Sequence, residues 1–175
     1  MRCRVNPPYS IIRQLPACCV PACLSMVLQR RGLLHWSQEE IGEQLGLVVP
    51  EPSAWFYRDH TGPQPPSGWG TRIGHPEYAL QSFFDRNALP LQFAYDPTIK
   101  SNIITERMLL DDDQILCFES AAYPGSGHVA LLTAVEDETC ELIDPNYGIV
   151  KHAFSTIRNR TPENLGGTWR IRRRS

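Results

Sequence analysis

Apolar residues along the first half of the chain recur at helical spacing. Over residues 19 to 32, Val20, Cys23, Leu24, Val27 and Leu28 fall on one stripe. Pro21 suits the first turn, where a missing N–H costs nothing. Arg30 and Arg31 suit the last turn, and Gly32 supplies the stop. A second helix starts at Ser37, which forms an S-x-x-E capping box with Glu40. Ile41 and Leu45 mark its buried face, and Gly46 ends it. A third runs from about Pro76 to Asn87 around Tyr78, Leu80, Phe83 and Phe84, with His75 as a helix-entry residue. A fourth spans Ser101 to Leu110, with Ser101 as its cap. Asp111 to Asp113 then read as a solvated turn.

The second half changes period. LQFAY at 91–95, ILCFES at 115–120, HVALLTAV at 128–135, TCELIDP at 139–145 and TWRIRRR at 168–174 read as strands. Helices followed by strands predict an α+β fold with an antiparallel sheet. No repeat or linker divides the chain, so residues 1–175 are expected to form one domain. The stretch from about 49 to 74 holds Pro50, Pro52, Pro63, Pro65 and Pro66, interleaved with Trp55, Phe56, Tyr57 and Trp69. It is predicted to be a long loop, of the kind that covers a core or serves function.

Composition narrows the classes. The chain has 175 residues, within the roughly 100–200 residues of one domain. Its net charge of −2 gives no argument for nucleic acid as a partner. The C-terminal arginines Arg170, Arg172, Arg173 and Arg174 read as a solvated end. No apolar run approaches the roughly 18–20 residues that a bilayer-spanning helix needs, so no membrane insertion is expected. The first residues lack the apolar core of a signal peptide. The expected location is cytoplasmic, or exported without a cleavable signal. Nothing in the sequence speaks to oligomeric state.

Six cysteines are the chemical signal: Cys3, Cys18, Cys19, Cys23, Cys117 and Cys140. A disulfide framework fits poorly with a chain of this length and no secretion signal. No Cys-x-x-Cys pair is present, so neither a metal nor any other cofactor is expected. Cys117 and Cys140 sit in apolar strand-like runs and read as packing residues. Cys3 is undecided. Cys19 opens the first helix, where the positive end of the helix dipole favours a thiolate. Cys18 is a rival nucleophile, since spacing alone does not separate adjacent thiols.

A hairpin centred near Glu136 or Asp137 would bring His128 opposite Asp144 or within two residues of it. Paired side chains share a face, so the hairpin offers a His–carboxylate couple. A carboxylate on one imidazole nitrogen fixes the tautomer and stabilises the imidazolium. Asn146 is the runner-up orienter. The small-residue run AAYPGSG before His128 would leave it exposed at a sheet end. An acyl intermediate also needs oxyanion donors. The Cys19 backbone N–H is one candidate, and Gln14, upstream on the Pro-broken lead-in, is the second.

Taken in order, Gln14-Leu-Pro-Ala-Cys-Cys19-Val-Pro-Ala-Cys, Gly70-Thr71, Gly127-His128-Val-Ala-Leu-Leu and Ile143-Asp144-Pro145 resemble the C39 and C39-like peptidases, which are papain-like cysteine proteases. The resemblance covers residues 14 to 148. It implies a papain-like fold with N-terminal helices packed on a C-terminal antiparallel sheet. It implies Cys19 as nucleophile, His128 as general base and acid, Asp144 as orienter and Gln14 in the oxyanion hole. It favours Cys19 over Cys18, because Cys19 is the one followed by x-Pro-Ala. Val20 departs from the usual Gly and places bulk beside the nucleophile. The exporter role of the best-known members does not carry over, since neither a membrane span nor a G-x-x-x-x-G-K-[ST] loop is present.

The implied activity is a cysteine peptidase or related thiol amidohydrolase working on a peptide or protein substrate through an acyl-thioester. The same triad would serve an acyltransferase, a transglutaminase-like enzyme or a deamidase, because the thioester step is shared. A silent peptide-binding module on this fold is the reading from a different class.

Overall fold

The computed structural model describes residues 2–33, 35–57, 62–119, 126–159 and 166–174, excluding the side chain of Trp55. His60, the 121–125 part of the small-residue run and part of the 49–74 stretch lie outside the described residues. The chain divides into two compact units, one of Ile12–Pro90 and one of Met1–Ile11 with Leu91–Ser175.

The first unit is helical. Helix α1 spans Cys19–Arg30 and is buried from Val20 through Leu28. Helix α2, Gln38–Gln44, packs with α1. Its start follows the sequence: the Ser37 side chain accepts from the Glu40 N–H, and the Glu40 carboxylate accepts from the Ser37 N–H. Gly46 follows at φ +65°, and a Cβ there would meet the Tyr78 ring at 2.8 Å. That position therefore needs glycine on both backbone and steric grounds. The third predicted helix is broken in two: a short 3-10 turn at Pro76–Tyr78, then α3 at Leu80–Arg86. Arg86 donates to the Glu77 and Gln44 carbonyls and ties α3 to the end of α2. The described part of the Pro-rich stretch holds regular structure. Glu51–Tyr57 forms a 3-10 helix, and bridges from Val48 to Gly70 and from Val49 to Ser67 pin its ends.

The second unit is a seven-stranded antiparallel sheet with two helices. Its strands are β1 (Arg2–Arg4), β2 (Leu91–Asp96), β3 (Asp113–Glu119), β4 (Gly127–Glu136), β5 (Thr139–Asp144), β6 (Gly148–Ala153) and β7 (Gly167–Arg173). They lie in the order β2-β7-β3-β4-β5-β6, with β1 pairing β4. Helices α4 (Ser101–Leu109) and α5 (Phe154–Asn159) complete the unit. Central β4 is buried from His128 through Val135, on both faces.

Three expectations need correcting here. Ser101 does not cap α4: the cap position is Lys100, and the Ser101 hydroxyl donates to Glu138 at 2.8 Å instead. Asp111–Asp113 is not a solvated turn. Asp111 turns the chain at φ +61°, but Asp112 and Asp113 are buried. Asp112 takes the Arg170 guanidinium and Asp113 accepts from Tyr9 at 2.6 Å, which meets the need of buried charge for partners. Arg170 is thereby also withdrawn from the solvated end, while Arg172 bonds Gln92 across the β2–β7 pair.

Candidate active site

The sheet unit holds a built His–carboxylate couple. The β4–β5 hairpin turns at Asp137–Glu138, with Glu136 opposite Thr139. Leu131 pairs Ile143, so one step further Ala130 lies across from Asp144 and His128 is two residues on, sharing its face. His128 Nε2 meets Asp144 Oδ2 at 3.0 Å. The other carboxylate oxygen accepts the Asn146 N–H at 2.8 Å and the Tyr147 N–H at 3.3 Å. Asp144 thus ends its strand in an Asx turn that aims the carboxylate back at the imidazole. Asn146 contributes its backbone N–H to this turn, and it is Asp144 whose carboxylate meets the imidazole. Burial pushes the Asp144 carboxyl up. The hydrogen bond and charge of His128 and the two backbone N–H groups outweigh burial and hold it below its ordinary value.

His128 is 8% exposed, which corrects the expectation of an exposed histidine at a sheet end. Phe118, its cross-strand partner on β3, meets the ring edge-on at 5.5 Å between centroids. The ring is therefore held by Asp144 on one nitrogen and by an aromatic neighbour.

The helical unit holds the thiols. Cys19 is the first residue of α1 and half-buried, and the cap residue, Cys18, makes no side-chain capping hydrogen bond. The approach to it is tight. Cys18 N–H bonds the Leu15 carbonyl at 3.0 Å around Pro16 and Ala17, and Ala17 sits at φ +62°. That is a turn with proline first and a left-handed residue second, where glycine is the usual occupant.

Two side chains hold this lead-in. The Gln38 amide donates to the Arg13 carbonyl at 2.7 Å and accepts from the Leu15 N–H at 3.0 Å, bracketing Gln14. Tyr57 donates to the Pro16 carbonyl at 2.5 Å and meets Cys18 Sγ at 3.1 Å. Cys18, Ala17, Leu47, Val49 and Tyr57 form one buried apolar cluster. Neither clamp is legible in the sequence: nothing in the chain links position 38 to Arg13 and Leu15, or position 57 to position 18.

The adjacent thiols differ in environment. Cys18 is fully buried, and burial pushes its thiol up to about 12, against a lowering by the Tyr57 hydrogen bond; the neighbouring Cys19 and Glu39 add to the rise. A thiol so placed is neutral near pH 7 and packs as a small hydrophobe. Gln14 is half-buried, and among the described residues its Oε1 has no hydrogen-bond partner. Cys23, Cys117 and Cys140 are buried among apolar residues, as expected, and Cys3 is buried on β1. Burial also pushes the Cys140 thiol up to about 12.

No protein-family model matches the chain, and no curated protein matches it. Solved structures do. A candidate C39-like peptidase from Bacillus anthracis aligns over 100% of this chain and 99% of its own, with a TM-score of 0.67 at 13% identity. The fold is that of the C39-like peptidase domains.

Two further structures carry the same C39-like fold. The peptidase domain of Streptococcus ComA, a bifunctional ABC transporter in quorum sensing, aligns over 95% of this chain and 99% of its own, with a TM-score of 0.56 at 13% identity. A double-glycine-motif protease from an AMS/PCAT transporter, solved with a leader peptide, covers 97% of this chain and 95% of its own, with a TM-score of 0.52 at 15% identity. Among the described residues here, no helix is long and apolar enough to cross a membrane.

Proposed function

We propose that this chain is a cysteine peptidase or related thiol amidohydrolase. The observation that carries the reading is the buried His128–Asp144 couple, 3.0 Å apart, on a C39-like fold whose helical unit opens α1 with a half-buried cysteine.

In this reading Asp144 holds the Nε2–H of His128, which leaves Nδ1 to exchange a proton with Cys19. The thiolate attacks the substrate carbonyl carbon. The oxyanion is met by the Cys19 N–H and the Gln14 amide. His128 returns its proton to the leaving amine, and water then cleaves the thioester by the same exchange. Burial and the high thiol pKa of Cys18 support its assignment to packing. Substrate is a peptide or protein, in keeping with the leader peptide bound by the double-glycine protease.

The test is intact-mass analysis of a peptide library with wild type and Cys19→Ala, with and without an added amine acceptor. Fragments that appear only with wild type support hydrolysis. Mass attached from the amine without cleavage moves the assignment to acyl transfer. A wild-type protein that binds peptide and yields neither product contradicts the enzyme reading.

A further inference from the structure

The β4–β5 ladder changes register between Leu132 and Ala134, leaving Thr133 as an extra residue on β4. Its consequence follows from counting. From the turn, Glu136 pairs Thr139, Val135 pairs Cys140 and Ala134 pairs Glu141. Continued without interruption, that register would pair Leu131 with Asp144. Asp144 would then share the face of Leu131 and Val129, and His128 would point the other way, because one step of slip reverses every side chain. With Thr133 bulged out, Leu132 pairs Leu142 and Leu131 pairs Ile143, and His128 and Asp144 share a face.

The apolar pattern does not choose between these registers. β4 is buried on both faces, and Leu142 and Ile143 of β5 are both buried. A strand apolar on both sides buries its residues equally well after a slip. Something else must specify the bulge.

Polar contacts converge on it. The Thr133 hydroxyl lies 3.0 Å from both the Glu141 carbonyl and Glu141 Oε1. Arg4 of β1 grips the same carboxylate with both terminal nitrogens, at 2.7 and 3.2 Å. The next residue, Val5, donates its N–H to the Thr133 carbonyl at 2.9 Å, satisfying the backbone that the bulge takes out of the ladder. Glu141 lies three residues before Asp144 on β5 and so faces the opposite side of the sheet.

We propose that Thr133, Glu141 and Arg4 form a register lock: positioning residues that hold β4 in the bulged register and so keep His128 and Asp144 on one face. The value of the lock to catalysis rests on the peptidase reading; its existence does not.

The test reads the couple directly in the free protein. Imidazole 15N and 1H resonances report whether His128 Nε2–H is hydrogen-bonded. Thr133→Ser keeps the hydroxyl and is expected to retain the wild-type signal. Thr133→Val keeps the shape and loses the donor, so the signal is expected to diminish, and turnover to fall roughly 10- to 100-fold. Deleting residue 133 makes the turn register run straight to Leu132–Leu142, so the deletion is expected to recover the signal. If Thr133→Val does not fold, Glu141→Met, which keeps the length and removes both side-chain acceptor oxygens, replaces it, with the same expected loss. A wild-type signal in the Val or Met variant, or a deletion that loses the couple as Thr133→Val does, overturns the lock. Because the readout needs no substrate, an inert Cys19 would sink the peptidase reading and leave this result standing. A lost signal with full turnover retained would leave the lock standing and overturn its value to catalysis.

Discussion

The two units hold their candidate catalytic groups by different means. In the sheet, His128 and Asp144 are placed by ladder register, and the Asp144 carboxylate is satisfied on both oxygens. In the helical unit, Gln14 lies on, and Cys19 follows, an irregular lead-in with a left-handed alanine, held by two side chains, Gln38 and Tyr57. A ladder distributes its constraint over many backbone bonds, whereas a clamped turn concentrates it in a few side chains. Apart from the Thr133–Glu141–Arg4 lock, the sheet half should therefore tolerate single substitutions outside its couple, while the helical half should be sensitive at positions that touch no substrate.

The largest effects break either half at its centre. Cys19→Ala or His128→Ala is expected to lower kcat by ~10³-fold or more, without a matching change in stability. Asp144→Asn is expected to cost about 10²–10⁴-fold, since an amide stabilises the wrong tautomer and no imidazolium. It also has a pH signature. The folded Asp144 carboxyl lies below its ordinary value, so its contribution to stability is present above the unfolded pKa of about 3.9 and is lost as pH falls through the lower folded value. Denaturant midpoints taken from neutral pH down to about pH 3 should fall less steeply for Asp144→Asn than for wild type.

Gln14→Ala sharpens the comparison on the helical side. Loss of one oxyanion donor is expected to lower kcat by about 10²–10³-fold with KM little changed. Gln38→Ala and Tyr57→Phe come next. Each removes a clamp, with an expected cost of about 1–2 kcal/mol in unfolding free energy and a loss of turnover greater than that stability loss explains. The smallest effect has the opposite sign. Ala17→Gly relieves a left-handed alanine and is expected to add about 0.5–1 kcal/mol, offset in part by chain entropy.

The sequence carried the parts of this arrangement that are local. The Ser37–Glu40 box, the apolar stripe of α1 and the β4–β5 hairpin are signals written within a few residues, and each formed where it was read. The short strands β1 and β6 and helix α5 were missed. Three residues of RCR or six of GIVKHA carry too little alternation to stand out, and they are strands because a neighbour offers its edge. The Thr133 bulge was missed because it is a property of two strands. By taking Thr133 out of the ladder, the bulge brings His128 to two residues from the position opposite Asp144, the outer limit of what the hairpin pattern led one to expect. Gln38, Tyr57 and the buried Asp112 and Asp113 share one cause: their partners lie far along the chain.

Thiol alkylation kinetics test the central claim most directly. The rate of mass addition by iodoacetamide, mapped by peptide, is measured across neutral pH for wild type, Cys18→Ala, Cys19→Ala and His128→Ala. The account expects fast labelling at Cys19 in wild type and Cys18→Ala, none at that site in Cys19→Ala, and a markedly slower rate in His128→Ala. Equal rates in wild type and His128→Ala, or labelling carried by Cys18, would contradict it.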